Sequence, residues 1–154
     1  MARLLEIETE KTRHMDFTAR LWYLLKNVEF LTYNFTMTCL FVVVTGIQFW
    51  ITDYFINVLG VEKSYAFRLY FLLGAVGPGC GVLLCGYLFD KIGGYLSLRA
   101  IPVLGIFGLA GMIFGLASVF GDNALYTALM ITFQLFCGAF VMPPTTGIML
   151  NQVP

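Results

Sequence analysis

The sequence predicts an all-α, polytopic membrane protein with four transmembrane helices, on the strength of three observations. The chain of 154 residues is 59% hydrophobic and only 12% charged, against roughly 25% charged in soluble domains. Its charges are clustered, with none between Glu29 and Asp53, between Arg68 and Asp90, between Arg99 and Asp122, or from Asn123 onward. Each of these gaps is at least as long as the ~20 residues a helix needs to cross a bilayer. One such gap could be a buried core helix, but four in succession leave too little polar surface for a water-soluble globule. The spans that follow are about 30–57, 67–89, 98–120 and 124–150.

Residues 1–14 (MARLLEIETEKTRH) form a charged tail. Residues 15–29 place Phe17, Leu21, Leu24, Leu25 and Val28 at helical spacing, with Arg20, Lys26 and Asn27 outside that stripe. With Trp22 and Tyr23 beside it, this segment suits a linker helix at the membrane interface; the alternative is a simple extension of the first span. Residues 1–29 are thus read as tail and linker, and 30–154 as the transmembrane segment. The second span opens with YAFRLYFLLG and ends in CGYLF. Short loops make consecutive spans antiparallel neighbours. Arg3, Lys11, Arg13, Arg20, Lys26, Lys91 and Arg99 lie on one side, and only Lys63 and Arg68 on the other. The richer side is cytoplasmic by the positive-inside rule, so both termini and the Asp90 loop are expected there.

Several function classes lose support. Net charge is zero, which gives no footing for nucleic acid. Cys39, Cys80, Cys85 and Cys137 fall inside the spans without CxxC spacing, and the single histidine, His14, lies in the tail. The cysteines read as small apolar packing residues, with no metal site and no cofactor expected. No His/Cys/Asp constellation suggests an enzyme. The polar stretch ahead of the first apolar run is not a signal peptide.

Glycine placement is informative. Gly74, Gly77, Gly81 and Gly86 punctuate the second span, and Gly105, Gly108, Gly111 and Gly115 the third. Small residues let helix backbones approach where no hydrophobic drive brings helices together, so packing is the expected role of most of them. The adjacent Pro143 and Pro144 in the fourth span remove two amides from the ladder and mark a candidate helix break.

The loop after the second span runs from Gly86 to Tyr95 as GYLFDKIGGY. It resembles the signature of the major facilitator superfamily, G-x-x-x-D-(R/K)-x-G-(R/x)-(R/K)-(R/K), which joins two helices on the cytoplasmic side. Gly86, Asp90, Lys91 and Gly93 match, while Gly94, Tyr95 and Leu96 depart from the basic run, as is typical of the second copy of the signature. FVVVTGIQFWITDYF and FCGAFVMPPTTGIMLNQVP look like the seventh and tenth helices of Spinster-type transporters, and GAVGPGCGVLLCGYLFDKIGG resembles the stretch between. The resemblance covers about residues 17–154. It implies a partial major-facilitator fold, from the end of the central linker through helices seven to ten. The N-terminal half and the last two helices would then be missing partners. The stop at Val153-Pro154, directly after a span, reads as that of a partial product.

On this resemblance the protein is a secondary transporter moving a small organic or lipid-like solute by alternating access, in the plasma membrane or an endolysosomal one. Its partners would be membrane lipid and that solute. The signature loop would act as a conformational latch, since Asp90 near a helix C-terminus opposes the helix dipole and needs a partner that one conformation can supply. A different class also fits: a small four-helix membrane scaffold or assembly protein without transport activity.

One stripe bears on the choice. Asn34, Thr38, Phe41, Thr45, Gln48 and Thr52 advance by four and three residues in turn, so they share a narrow face of the first span. Unpaired polar groups facing lipid are costly. Thr45, Gln48 and Thr52 therefore either line a substrate path or hydrogen-bond to another helix. Gln134, Thr145, Thr146 and Asn151 make a looser set in the fourth span. Asp53 is placed at the water-facing end of the first span, with Trp50 and Tyr54 as interfacial anchors. The sequon Asn34-Phe35-Thr36 sits at the cytoplasmic end of a span and is discounted.

Overall fold

A computed structural model of the chain describes residues 16–151, and the regular structure there is entirely helical. The charged tail expected over residues 1–14 lies outside the described residues. Helix α1 spans Phe17–Lys26. Helix α2 spans Val28–Asp53 and continues as a π-helical turn, Tyr54–Val58. Helices α3 (Lys63–Ile92), α4 (Ala100–Val119) and α5 (Ala124–Leu150) follow. The stretch Val28–Val58 and helices α3 to α5 are long and apolar enough to cross a membrane. The protein is an all-α, multi-pass membrane protein. Helix α3 is longer than the apolar gap within it because Lys63, Arg68, Asp90 and Lys91 occupy its terminal turns, where long charged side chains reach interfacial water.

Each boundary has a local cause. Asn27 leaves the helical region at φ −78°, ψ 105°, and its side chain accepts from the N–H groups of Glu29 and Phe30. The amphipathic segment and the first span are therefore two helices, not one. At the far end of α2 the Leu59 N–H donates to the Tyr54 carbonyl at 3.1 Å, and the Val61 N–H to the Phe55 carbonyl at 3.0 Å. Gly60 makes that turn at φ +64°. Asn123 caps α5 by accepting from the Leu125 N–H at 2.9 Å.

Helix α5 is the hub, packing along much of its length against α3 and α4. The α3–α5 contact is close because glycine permits it. A Cβ on Gly77 would lie 2.8 Å from the Thr132 carbonyl oxygen, and one on Gly81 would overlap the Phe136 carbonyl oxygen. On α4, Gly111 meets Cys137 and Gly115 sits under Gln134. Gly74, Gly86, Gly105 and Gly108 face open space, so half of the glycines expected at helix contacts are found there.

Two buried clusters lie one after the other along α5. One joins Ile51 and Phe55 to Leu69 and Leu73 of α3 and Ile131 and Leu135 of α5. The other joins Cys85 and Phe89 of α3, Ala100 of α4 and Phe140 of α5. There Phe107 stacks on Phe140 with ring centroids 3.7 Å apart. Helix α2 contributes to the first cluster alone, through its C-terminal end, while Met37 is buried nearer its start. Cys85 and Cys137 are buried as packing residues, but Cys39 and Cys80 are exposed on their helices. The packing expectation fails for those two because the faces they occupy meet no other described helix closely enough to cover them.

The glycine contacts make a paired prediction. Gly81→Ala pushes α3 off the α5 backbone and should cost about 1–3 kcal/mol, the usual range for overpacking. Gly79→Ala, with nothing within 4 Å of the added methyl, should cost nothing. Thermal unfolding of the two purified variants in detergent checks this, with a lowered Tm expected for the first alone.

Candidate functional site

The turn after α3 is built around one carbonyl. The Gly94 N–H donates to the Phe89 carbonyl at 2.8 Å, and the Gly93 N–H reaches the same oxygen. This is the six-to-one closure of a Schellman-type C-cap, which needs a left-handed residue after the helix. Gly93 at φ +89° supplies it, and Gly94 follows at φ +86°. The side chain of Phe89 is buried in the second cluster, so the turn is anchored to the core through the residue whose carbonyl closes it.

Around that rigid turn the other signature positions are open. A methyl group added at Gly86 would meet nothing within 4 Å. Asp90 is exposed, and its carboxylate has no hydrogen bond or ion pair with any described residue. Lys91 folds back over Tyr87, its ammonium 4.4 Å from the ring centroid. Tyr95, where the signature would carry a basic residue, lies instead against Gly147 of α5, where a Cβ would come within 2.9 Å of its ring. That contact had no sequence signal beyond a glycine late in the fourth span.

The stripe on α2 faces away from the other described helices. Asn34, Thr38, Phe41, Thr45 and Gln48 are exposed, and Thr52 is half-buried. The Thr38 hydroxyl donates to the Asn34 carbonyl one turn back at 2.9 Å. The side chains of Thr45 and Gln48 make no hydrogen bond with any described residue. Thr38, Phe41, Thr45 and Trp50 line a shallow hollow walled by α2 alone. Interhelical hydrogen bonding among the described helices is thus not what these groups do. At the end of the stripe Asp53 is exposed and accepts from the Asn57 side-chain amide at 2.6 Å.

The opposite side of α2 borders a cleft of about 480 Å³ between α2, α4 and α5. Its walls are apolar apart from Thr36, Gln134 and the thiols of Cys39 and Cys137, and Gly108, Gly111 and Gly115 also line it. Sequence reasoning marked Gln134 without finding the cleft. The available signal was the pairing of a lone amide on α5 with a glycine-lined face on α4, which only their juxtaposition makes visible.

Pro143 and Pro144 lie inside α5, which runs continuously from Ala124 to Leu150. The interruption is of the ladder rather than of the helix: the carbonyls of Ala139 and Phe140 lose their usual donors. Pro144 is buried, and the neighbouring Thr145 and Thr146 hydroxyls donate to the Val141 and Met142 carbonyls at 2.8 and 2.9 Å.

Comparison of the chain with protein-family models, with curated proteins and with solved structures finds no match in any of the three.

The turn geometry separates two glycines of the signature. Gly93→Ala forces an L side chain into the left-handed region and should cost about 1–2 kcal/mol, read as a lowered Tm in detergent. Gly86→Ala should leave Tm unchanged or slightly raised, since alanine favours a helix interior over glycine.

Proposed function

We propose that the chain is part of a secondary transporter of the major-facilitator type, Spinster-like in its sequence, and that the exposed face of α2 borders its solute path. The observation that carries this reading is the direction of the stripe. A primary amide moved from water into an apolar medium without a partner costs roughly 2–7 kcal/mol. Gln48 has no partner among the described residues and sits well inside a membrane-spanning helix. That face therefore calls for water or for another polar protein surface, and a solute path between two halves of a transporter provides both. The DKIGG turn adds support, with a rigid glycine cap presenting an exposed Asp90 that a second surface could engage. In such a mechanism, repeats rock about a midplane site and expose it to each side in turn.

The scaffold reading differs in what covers the stripe: a partner helix, permanently, instead of a hydrated path. Cysteine accessibility distinguishes the two without knowledge of the solute. In full-length protein with Cys39, Cys80, Cys85 and Cys137 replaced by serine or alanine, Gln48→Cys and Thr45→Cys should react with a charged, membrane-impermeant thiosulfonate. Leu83→Cys, on an exposed apolar face of α3, should not. Adding Asp90→Asn should change the labelling rate at Gln48→Cys if the turn latches one conformation. Absence of labelling at both stripe positions, with normal expression, would sink the path and leave the scaffold.

A further inference from the structure

The geometry points to α1 as an in-plane membrane anchor, with the headgroup–acyl boundary of the bilayer as its binding partner. At about 3.6 residues per turn, Phe17, Leu21, Leu24 and Leu25 fall within an arc of about 100°. Along this arc Phe17, Leu21 and Leu25 are exposed at 76%, 49% and 48%. No described helix covers them, since the only helix that α1 contacts substantially is the start of α2. Trp22 borders the arc and is itself 62% exposed, and the Lys26 ammonium lies 5.5 Å from its ring centroid. An apolar stripe edged by an indole and an ammonium is the arrangement that settles where hydrocarbon gives way to headgroups.

The joint to α2 supplies the second argument. A single residue, Asn27, separates the two helices, so α1 cannot leave the end of the span behind it. Nor does it continue that span, because Asn27 breaks the helix and its side chain is committed to capping α2. Ten residues of helix tethered at the membrane surface, with an uncovered apolar stripe, have one apolar phase within reach. The acidic and basic residues of the first twenty-nine positions balance, with Glu6, Glu8, Glu10, Asp16 and Glu29 against Arg3, Lys11, Arg13, Arg20 and Lys26. The attraction is therefore to the interface itself rather than to anionic lipid. Docked this way, α1 fixes the depth at which α2 begins, and with it the depth of Thr45 and Gln48.

The chain has two tryptophans, so Trp50→Phe leaves Trp22 as sole reporter. This variant of the full chain is reconstituted in phosphatidylcholine vesicles whose acyl chains are brominated near the headgroup, at mid-chain or near the chain end. The expected result is greatest loss of Trp22 emission with bromine near the headgroup, a smaller loss with bromine near the chain end, and weak quenching by aqueous iodide. An equal response in vesicles with and without phosphatidylserine is expected from the charge balance. Strong iodide quenching without bromolipid quenching would put α1 in water and overturn the inference. So would maximal quenching by chain-end bromine, which would make α1 part of the span, or protection from both quenchers, which would bury it in protein. Circular dichroism of the same sample verifies that the variant is folded.

Discussion

Everything in this bundle depends on the contact between α3 and α5 at Gly77 and Gly81. In lipid the spans gain little from hydrophobic burial against one another, so close packing has to supply the association. The absent side chains let the backbone of α3 rest against the Thr132 and Phe136 carbonyl oxygens of α5. Once α3 occupies that side of α5, α4 takes another through Gly111, Gly115 and the stacked rings of Phe107 and Phe140. Helix α2 is left with a short edge near its C-terminal end, where Ile51 and Phe55 enter the first cluster. Its open polar face and the cleft behind it are both consequences of that ranking.

The four spans were legible in the sequence because charge is so costly in hydrocarbon that its absence marks each crossing. Glu29, Asp53, Arg68, Asp90, Arg99 and Asp122 bracket the apolar gaps, and the helices end within a few residues of them. The break at Asn27 was less visible, since an amphipathic run joined to a span reads equally as linker or extension until the cap is seen. The π-turn at Tyr54–Val58 had no signal at all. It brings Phe55 to complete burial against α3 and α5, a tertiary demand that local propensity does not encode. Glycine spacing announced close packing without saying which glycines would use it. Gly77 and Gly81 meet backbone while Gly74 and Gly86 meet nothing, because facing residues on another helix decide.

The stripe was legible as a line but not as a direction. Alternating steps of four and three residues fix that Asn34, Thr38, Thr45 and Gln48 share a face, and say nothing of what that face meets. The structure turns it away from α4 and α5 and puts Thr36 and Cys39 toward the cleft instead. Thr36, on the cleft side, shows the contrast. Its hydroxyl donates to the Thr32 carbonyl at 2.8 Å. Gln48 has neither a carbonyl one turn back that its longer side chain engages nor a neighbour across an interface, so it requires a polar environment that the described helices do not supply.

The signature-like turn and the paired prolines meet at the same end of the bundle, and their relation follows from which bonds are missing. Phe89 and Phe140 belong to one buried cluster, with ring centroids 6.0 Å apart. Through the Phe89 carbonyl that cluster fixes the Gly93–Gly94 turn. Just beyond Phe140, Pro143 and Pro144 withdraw two donors from the ladder, so α5 bends more easily there than anywhere else along its length. Gly147 lies past that weak point and holds the ring of Tyr95. The turn that follows Asp90 is therefore tied at one end to the part of α5 before the prolines and at the other to the part after them. A bend of α5 at Pro143-Pro144 moves Gly147, and the Tyr95 ring resting on it, relative to Phe140. It therefore pulls on the chain just after a turn whose Gly93 and Gly94 amides are held by the Phe89 carbonyl.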